Sequence, residues 1–333
     1  MTFRLSGRSI PLTATATVLV VAFLIGALSF PNFASWAVLR NLLVDSAFLG
    51  VAAAGATFVI LSGGIDLSVG AVMAFTSVMV ASLIERAGLH PAPAMVGALV
   101  LGTVFGAAQG VLIQVFAMPA FLVTLAGMFL ARGAAFAVHP QSIGVVHPFV
   151  AQTLNDTLAV ALPLGPRGVV LPFAVLVMAA VFLTGWYTLR HTPFGRSVYA
   201  VGGDAHAAAL MGLPIARVRI SVYAVSGFLS SLAGVVFVLY QQSGDPACCK
   251  GLELDAIAAV VIGGTLLRGG VGTILGTLCG VLILGLIQTL ITFRGDLSSW
   301  WTRIVVGALM LAFIAIQRLI EKMGTRSGGA TRA

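Results

Sequence analysis

The chain has 333 residues, 59% of them hydrophobic and only 8% charged, against about 25% charged in an ordinary soluble domain. Its 18 Lys and Arg and 10 Asp and Glu cannot cover the outside of a water-soluble fold of this length, so that outside faces lipid. The net charge of +8 would suit nucleic acid in a soluble protein, but the longest basic cluster is Arg217-Val-Arg219 without interleaved aromatics, so nucleic-acid binding is set aside.

A hydrocarbon core of about 30 Å needs about 20 apolar residues per helix. In chain order, such runs lie near 11–29, 46–62, 67–84, 94–116, 119–137, 169–189, 219–240, 256–267, 271–292 and 301–319, the eighth short enough to suggest a broken or tilted span. The pattern predicts an all-α polytopic membrane protein of about ten transmembrane helices. The first run follows Arg4 and Arg8 and reads as an uncleaved anchor. Ten spans put both termini on one side. Placing them in the cytoplasm leaves eleven basic residues inside, Arg4, Arg8, Arg190, Arg196, Arg217, Arg219, Arg268, Arg318, Lys322, Arg326 and Arg332, and seven outside, Arg40, Arg86, Arg132, Arg167, Lys250, Arg294 and Arg303. The positive-inside rule therefore favours an N-in, C-in topology. The expected organisation is a cytoplasmic tail over 1–10, a transmembrane domain over 11–320 and a second cytoplasmic tail over 321–333.

Two loops exceed the rest. An outer one, 138–168, holds His139-Pro140, His147-Pro148 and Pro163-Leu-Gly-Pro166; its histidines read as loop residues before a metal site. The inner one, 190–218, carries two helix start and stop signals: Thr192 before Pro193 with Gly202 at the end, then Asp204 with Gly212 and Pro214 beyond. It is either a surface loop with good caps or two short helices that dock a soluble partner.

Glycines four apart, at Gly102, Gly106, Gly110 and at Gly272, Gly276, Gly280, bare one helix face for close packing, and their offset of five spans hints at an inverted repeat. Ser62-Gly-Gly-Ile-Asp-Leu-Ser68 and Ile262-Gly-Gly-Thr-Leu-Leu-Arg268 interrupt apolar stretches near the cytoplasmic face, as tight turns or as breaks in discontinuous helices. The acids Asp45, Asp66, Glu253 and Asp255 all fall at span ends; a proton- or sodium-driven carrier would bury one in mid-span despite about 3 kcal/mol of cost. The polar side chains within spans, Thr57, Gln109, Gln114, Thr124, Ser226, Ser230, Gln288 and Thr289, are neutral. They suit interhelical hydrogen bonds or a polyol such as a sugar, and by elimination Thr57, Gln109, Thr124 and Gln288 are the expected translocation path. No catalytic residues, metal site or cofactor are expected: HExxH, GxSxG, CxxC and GxxxxGK[ST] are all missing, and the only lysines are Lys250 and Lys322. A secondary transporter or channel, or a membrane-embedded transferase, remain the other readings, although the acids are too dispersed for the latter.

Glu253-Leu-Asp-Ala-Ile-Ala-Ala-Val-Val-Ile-Gly-Gly-Thr265, followed by Gly269-Gly270 and Gly272, resembles the signature of permease subunits of bacterial sugar ABC importers of the ribose type; so does Gly63-Gly-Ile-Asp-Leu-Ser-Val-Gly70. The likeness covers residues 10–320. Within the family the chain is most similar to galactofuranose importer permeases, through Leu125-Ala-Gly-Met128, Arg132-Gly133, Gly251-Leu-Glu-Leu-Asp255 and Leu297-Ser-Ser-Trp-Trp-Thr302. Two departures stand out: Cys248-Cys249-Lys250 where relatives have small residues, and His206 where many carry glutamate.

The resemblance implies an inner-membrane subunit that moves a neutral monosaccharide and performs no catalysis. Its partners would be cytoplasmic ATP-binding subunits, a periplasmic sugar-binding protein, a second permease (a copy or a paralogue) and membrane lipid. It also implies that Phe194, Gly195, Arg196, Gly202, Asp204, His206 and Gly212 couple to the ATPase. Gly63, Gly64, Asp66, Glu253, Asp255, Gly263 and Gly264 are expected to form the gates and helix breaks.

Overall fold

The computed structural model describes residues 10–150, 160–162, 169–296, 298 and 300–329. Arg4, Arg8, Arg167, Arg332 and the stretch 163–166 lie outside the described residues, as do Leu297 and Ser299. Thirteen helices are present among those described: α1 (Ile10–Ser29), α2 (Trp36–Asp45), α3 (Ala47–Leu61), α4 (Val69–Glu85), α5 (Pro91–Gln114), α6 (Ala120–Val138), α7 (Phe173–His191), α8 (Pro193–Gly203), α9 (Ala205–Leu210), α10 (Ile215–Gln241), α11 (Leu252–Ile262), α12 (Ile274–Arg294) and α13 (Trp300–Gly329).

Each of the ten apolar runs coincides with one helix, and α8 and α9 fill the inner loop. Six helices, α1, α5, α6, α7, α10 and α12, are long and apolar enough to cross a membrane alone. A seventh span forms if α2 and α3, bent by 47° at Ser46, are taken together. The sequence reading missed α2 because Arg40, Asn41 and Asp45 dilute its hydrophobicity. At about 1.5 Å per residue, the 17 residues of α4 and the 11 of α11 fall short of the hydrocarbon thickness. A glycine pair adjoins each: Gly63 and Gly64 lie in the non-helical segment before α4, and Gly263 and Gly264 follow the last residue of α11. The eighth run accordingly stops being helical at Ile262, earlier than the expected 267.

The helix starts have local causes. Thr273 Oγ1 accepts from Gly276 N–H at 3.1 Å to open α12, and His90 Nδ1 accepts from Ala92 N–H at 3.3 Å with Pro91 in the first turn of α5. In the outer 138–168 region, β1 (Ile143–Gly144) pairs antiparallel with β4 (Ser243–Gly244), and β2 (Val160–Leu162) pairs with β3 (Val169–Leu171). Alternation over two or three residues is too short to read from sequence.

The core centres on α3 and α10. From Gly50 to Leu61 every residue of α3 is buried, whereas α5 and α6 leave Val96, Val100, Val104, Phe129 and Leu130 exposed, as suits a lipid-facing rim. The first glycine stripe faces α10: a Cβ on Gly106 would meet the Tyr223 carbonyl, and one on Gly227 the Gly102 carbonyl. Gly276 and Gly280 press likewise on Gly263 and Ala259 of α11. Gly272 departs from the expected stripe, because it precedes the Thr273 cap and lies in a loop with φ 152°. The contact pattern recurs at an offset of five spans: α10 packs on α4 and α5 as α3 packs on α11 and α12, and α4 meets α6 as α11 meets α13.

Candidate functional site

Two regions gather the residues singled out above, one at each end of the bundle. At the inner end, Thr192 Oγ1 accepts from Gly195 N–H at 3.2 Å to cap α8, and Asp204 Oδ1 accepts from His206 N–H at 2.9 Å and Ala207 N–H at 3.0 Å to cap α9. Those backbone donors hold the Asp204 carboxyl below its usual value of 3.8. Gly212, at φ 78°, takes the turn after α9 that leads into α10.

These short helices are fixed to the bundle along one face. Phe194 stacks on Phe58 of α3 with ring centroids 6.4 Å apart, Gly195 lies against the Thr188 and Leu189 backbone, and Val198 and Val201 are buried in the core. Tyr199 Oη donates to the Gly272 carbonyl at 2.9 Å. Gly202 sits where the two glycine breaks meet. A Cβ there would strike the Leu61 carbonyl and come within 2.7 Å of Gly270 N, while Gly270 N–H donates to that Leu61 carbonyl at 2.9 Å. Gly269 in turn leaves no room for a Cβ beside Gly63. The other face is open: Arg196, Asp204 and His206 are exposed, and Leu210 and Met211 are 77% and 73% exposed.

Behind the first break, Asp66 is 4% exposed yet fully engaged. Ser68 N–H at 2.9 Å and Ser68 Oγ at 2.7 Å donate to one carboxylate oxygen, and Ser226 Oγ of α10 donates to the other at 2.7 Å. A buried carboxylate persists only with such donors. Ile65, next to it, has a carbonyl that accepts from Tyr223 Oη at 3.2 Å and Thr124 Oγ1 at 3.4 Å. Gly63 and Gly64 also line an inner cavity of about 300 Å³ with Arg219 and Tyr223, where Arg219 donates to Gln114 at 3.0 Å.

At the outer end, a cleft of about 390 Å³ opens between α2, α3, the end of α10, α11, α12 and α13. Its polar lining includes Asp45, Ser46, Asp255, Gln288, Thr289 and Thr302. A neighbouring hollow of about 280 Å³ shares Asp255, Gln288 and Thr302 and adds Trp300 and Arg303. Tyr240 Oη donates to Asp45 at 2.7 Å across the mouth. Ser46 Oγ and Thr302 Oγ1 are buried without a hydrogen-bond partner among the described residues, so the cleft keeps hydroxyls to offer to a polar guest.

The four residues expected in the path are not brought together. Gln288 lines the outer cleft. Thr57 Oγ1 instead bonds the Ala53 carbonyl at 2.7 Å and Thr277 at 2.8 Å, tying α3 to α12. Thr124 bonds the Ala120 carbonyl at 2.9 Å, and Gln109 Oε1 accepts from Ser68 Oγ at 3.3 Å while its Nε2 is buried beside Gly127. The gate residues divide likewise. Gly63, Gly64, Asp66, Gly263 and Gly264 lie at the inner breaks; Glu253 and Asp255 open α11 at the outer end, where Glu253 Oε1 accepts from Gly251 N–H at 3.2 Å. Sequence reasoning missed Ser46, Tyr240, Thr302 and Arg303 as cleft residues. The legible signal was that Asp45, Tyr240, Asp255 and Trp300 all stand at outer span ends. Among the described residues, no group of three or more His, Cys, Asp or Glu side chains is placed to hold a metal ion.

A family model described as branched-chain amino acid transport system / permease component matches residues 38–314. The chain is 51% identical over 311 residues to the inner membrane ABC transporter permease protein YjfF of Escherichia coli (strain K12), covering 93% of this chain and 92% of that one. It is 38% identical over 300 residues to the ribose import permease protein RbsC of the same strain, covering 90% and 91%. It is 35% identical over 329 residues to the fructose import permease protein FruG of Bifidobacterium longum (strain NCC 2705), covering 97% and 94%. No solved structure matches the chain.

Proposed function

The chain belongs to this family of ABC transporter permease components, multi-pass inner-membrane subunits that are not themselves enzymes, and on that premise we propose that it forms half of the translocation pathway of an ATP-driven sugar importer. The observation that carries the reading is the end-to-end likeness to permeases named for ribose and fructose import. The outer cleft supports it. A monosaccharide fits about 390 Å³, and its hydroxyls can meet Gln288, Thr289, Ser46 and Asp255, since a carboxylate accepts a hydrogen bond from a hydroxyl without needing a charged guest. Of the four uncharged residues expected from sequence only Gln288 lines this cleft, and the charged Asp45, Asp255 and Arg303 line it or the neighbouring hollow.

In this mechanism a binding protein delivers sugar to the outer face, where the cleft holds it through few contacts. ATP-binding subunits grip the exposed face of α8 and α9, including Arg196, Asp204, His206 and Leu210. Movement of α8 then shifts both glycine breaks at once, because Gly202 touches both. A second permease, a copy or a paralogue, completes the pore. The sugar we propose is galactofuranose or a similar monosaccharide, from the sequence resemblance around Leu125–Met128 with Arg132-Gly133, Gly251–Asp255 and Leu297–Thr302.

The test is reconstitution of the chain with its co-purifying subunits in vesicles, with uptake of labelled galactofuranose, ribose, fructose and leucine measured with and without ATP. ATP-dependent sugar uptake is expected. Leucine uptake without sugar uptake, or transport by the chain alone, overturns the reading.

A further inference from the structure

The segment between α10 and α11 joins one wall of the outer cleft to another, since Tyr240 and Gln241 line the cleft before it and Leu252 and Asp255 after it. This strap carries Cys248 and Cys249, which the transport mechanism does not use. Their sulfurs are 3.1 Å apart, with Cys249 Sγ donating to Cys248 Sγ. Adjacent cysteines in an ordinary strand point apart; here Cys249 is held at φ 60°, in the left-handed region that few non-glycine residues adopt, and the two sulfurs lie together. The surroundings fix that turn. Arg132 of α6 donates to the Cys248 carbonyl at 2.6 Å and to the Pro246 carbonyl at 3.0 Å, and Ser77 Oγ of α4 lies 3.9 Å from Cys248 Sγ. The Cys249 carbonyl sits against Gly70, where a Cβ would come within 2.8 Å of it. Both side chains are partly exposed, so small reagents reach them.

We propose that Cys248 and Cys249 form a reactive vicinal dithiol that closes reversibly to a disulfide on the outer strap of the cleft. On the N-in, C-in topology that the charge distribution favours, the strap faces the periplasm, a compartment in which disulfides form and persist. The S–H of Cys249 and the nearby Arg132 guanidinium favour the Cys248 thiolate, lowering that thiol while Cys249 is raised. In the first step the Cys248 thiolate attacks one sulfur of a small-molecule or protein disulfide, forming a mixed disulfide and releasing a thiolate. That thiolate takes the Cys249 proton. Cys249 sulfur then attacks Cys248 sulfur and expels the second half of the oxidant, which leaves as a thiol after taking up the proton first lost from Cys248. Two cysteine thiols lose two protons and two electrons, and the oxidant disulfide is reduced to two thiols.

The third cysteine gives an internal control, since Cys279 lies in α12. The full chain in lipid nanodiscs is equilibrated with mixtures of reduced and oxidised glutathione, quenched in acid, alkylated with N-ethylmaleimide and mapped by peptide mass. As the mixture is made more oxidising, the peptide holding Cys248 and Cys249 is expected to lose two hydrogens and both alkyl groups together, with Cys279 alkylation unchanged. C248S and C249S chains are expected to carry at most one glutathione instead. Phenylarsine oxide, which bridges two thiols, is expected to protect both cysteines of the native chain at least tenfold better than the one left in either variant. Full alkylation of both cysteines in every mixture, or oxidation that links either of them only to Cys279 or to another chain, overturns the proposal.

Discussion

Polar side chains inside a membrane protein are pulled two ways, toward a passing solute and toward neighbouring helices. Thr57 and Thr124 illustrate the second, because each already spends its hydroxyl on a carbonyl one turn back and on a partner in another element. Replacing either by Val removes a buried hydrogen bond worth about 1 kcal/mol. The melting temperature of the purified chain is expected to fall, with sugar flux per folded complex unchanged. Gln288→Ala and Asp255→Asn are expected to do the reverse: near-normal melting and assembly, and sugar uptake reduced by about fivefold or more, consistent with loss of one or two hydrogen bonds to the solute. Equal flux in all four variants would remove the outer cleft from the pathway. Sequence could name Thr57, Thr124 and Gln288 as neutral and apolar-flanked and place Asp255 at a span end. It could not tell which of them face a cavity, because that depends on the rotation of each helix against its neighbours.

The elements were legible wherever local chemistry sets them. The caps at Thr192 and Asp204 form as their side chains dictate, and a second consequence follows from the lowered Asp204 carboxyl. A depressed carboxyl stabilises the fold fully above its unfolded value near 3.8 and loses that contribution as pH falls through the lower folded value. The cap is therefore intact across pH 5–8, and Asp204→Asn, which keeps an acceptor oxygen, is expected to leave the melting temperature at pH 7 nearly unchanged, whereas Asp204→Ala lowers it. The contact of Gly202 with both breaks had no such local signal. Gly202→Val must displace the Leu61 and Gly270 backbone and is expected to uncouple ATP hydrolysis from uptake by about tenfold or more. Gly212→Val meets empty space and only the strain of φ 78°, of order 1–3 kcal/mol, so it is expected to destabilise α9 with weaker uncoupling. ATPase and uptake measured side by side on reconstituted complexes distinguish the two; the same coupling in both would detach Gly202 from transmission.

For the whole molecule, the acids decide the energy source. Asp66 is buried, and its two oxygens accept hydrogen bonds from Ser68 and Ser226, an arrangement that organises a helix break. A pH step across ATP-free vesicles is therefore expected to drive no sugar accumulation, and accumulation under those conditions would overturn ATP-driven import. The multi-pass helical character, the positions of the ten apolar runs, the starts and stops of the short inner helices and the glycine pairs that break the apolar pattern can all be read from the residues in order. Those features follow from composition, period and capping, which act over a few residues. Only the tertiary structure decided that the two glycine breaks, 200 residues apart, touch each other and Gly202, that Thr57 and Thr124 are tied to neighbouring elements, and that Ser46, Asp255 and Gln288 share one cleft. Contacts between distant spans depend on how bare glycine faces let helices approach and rotate, and no local pattern encodes that angle.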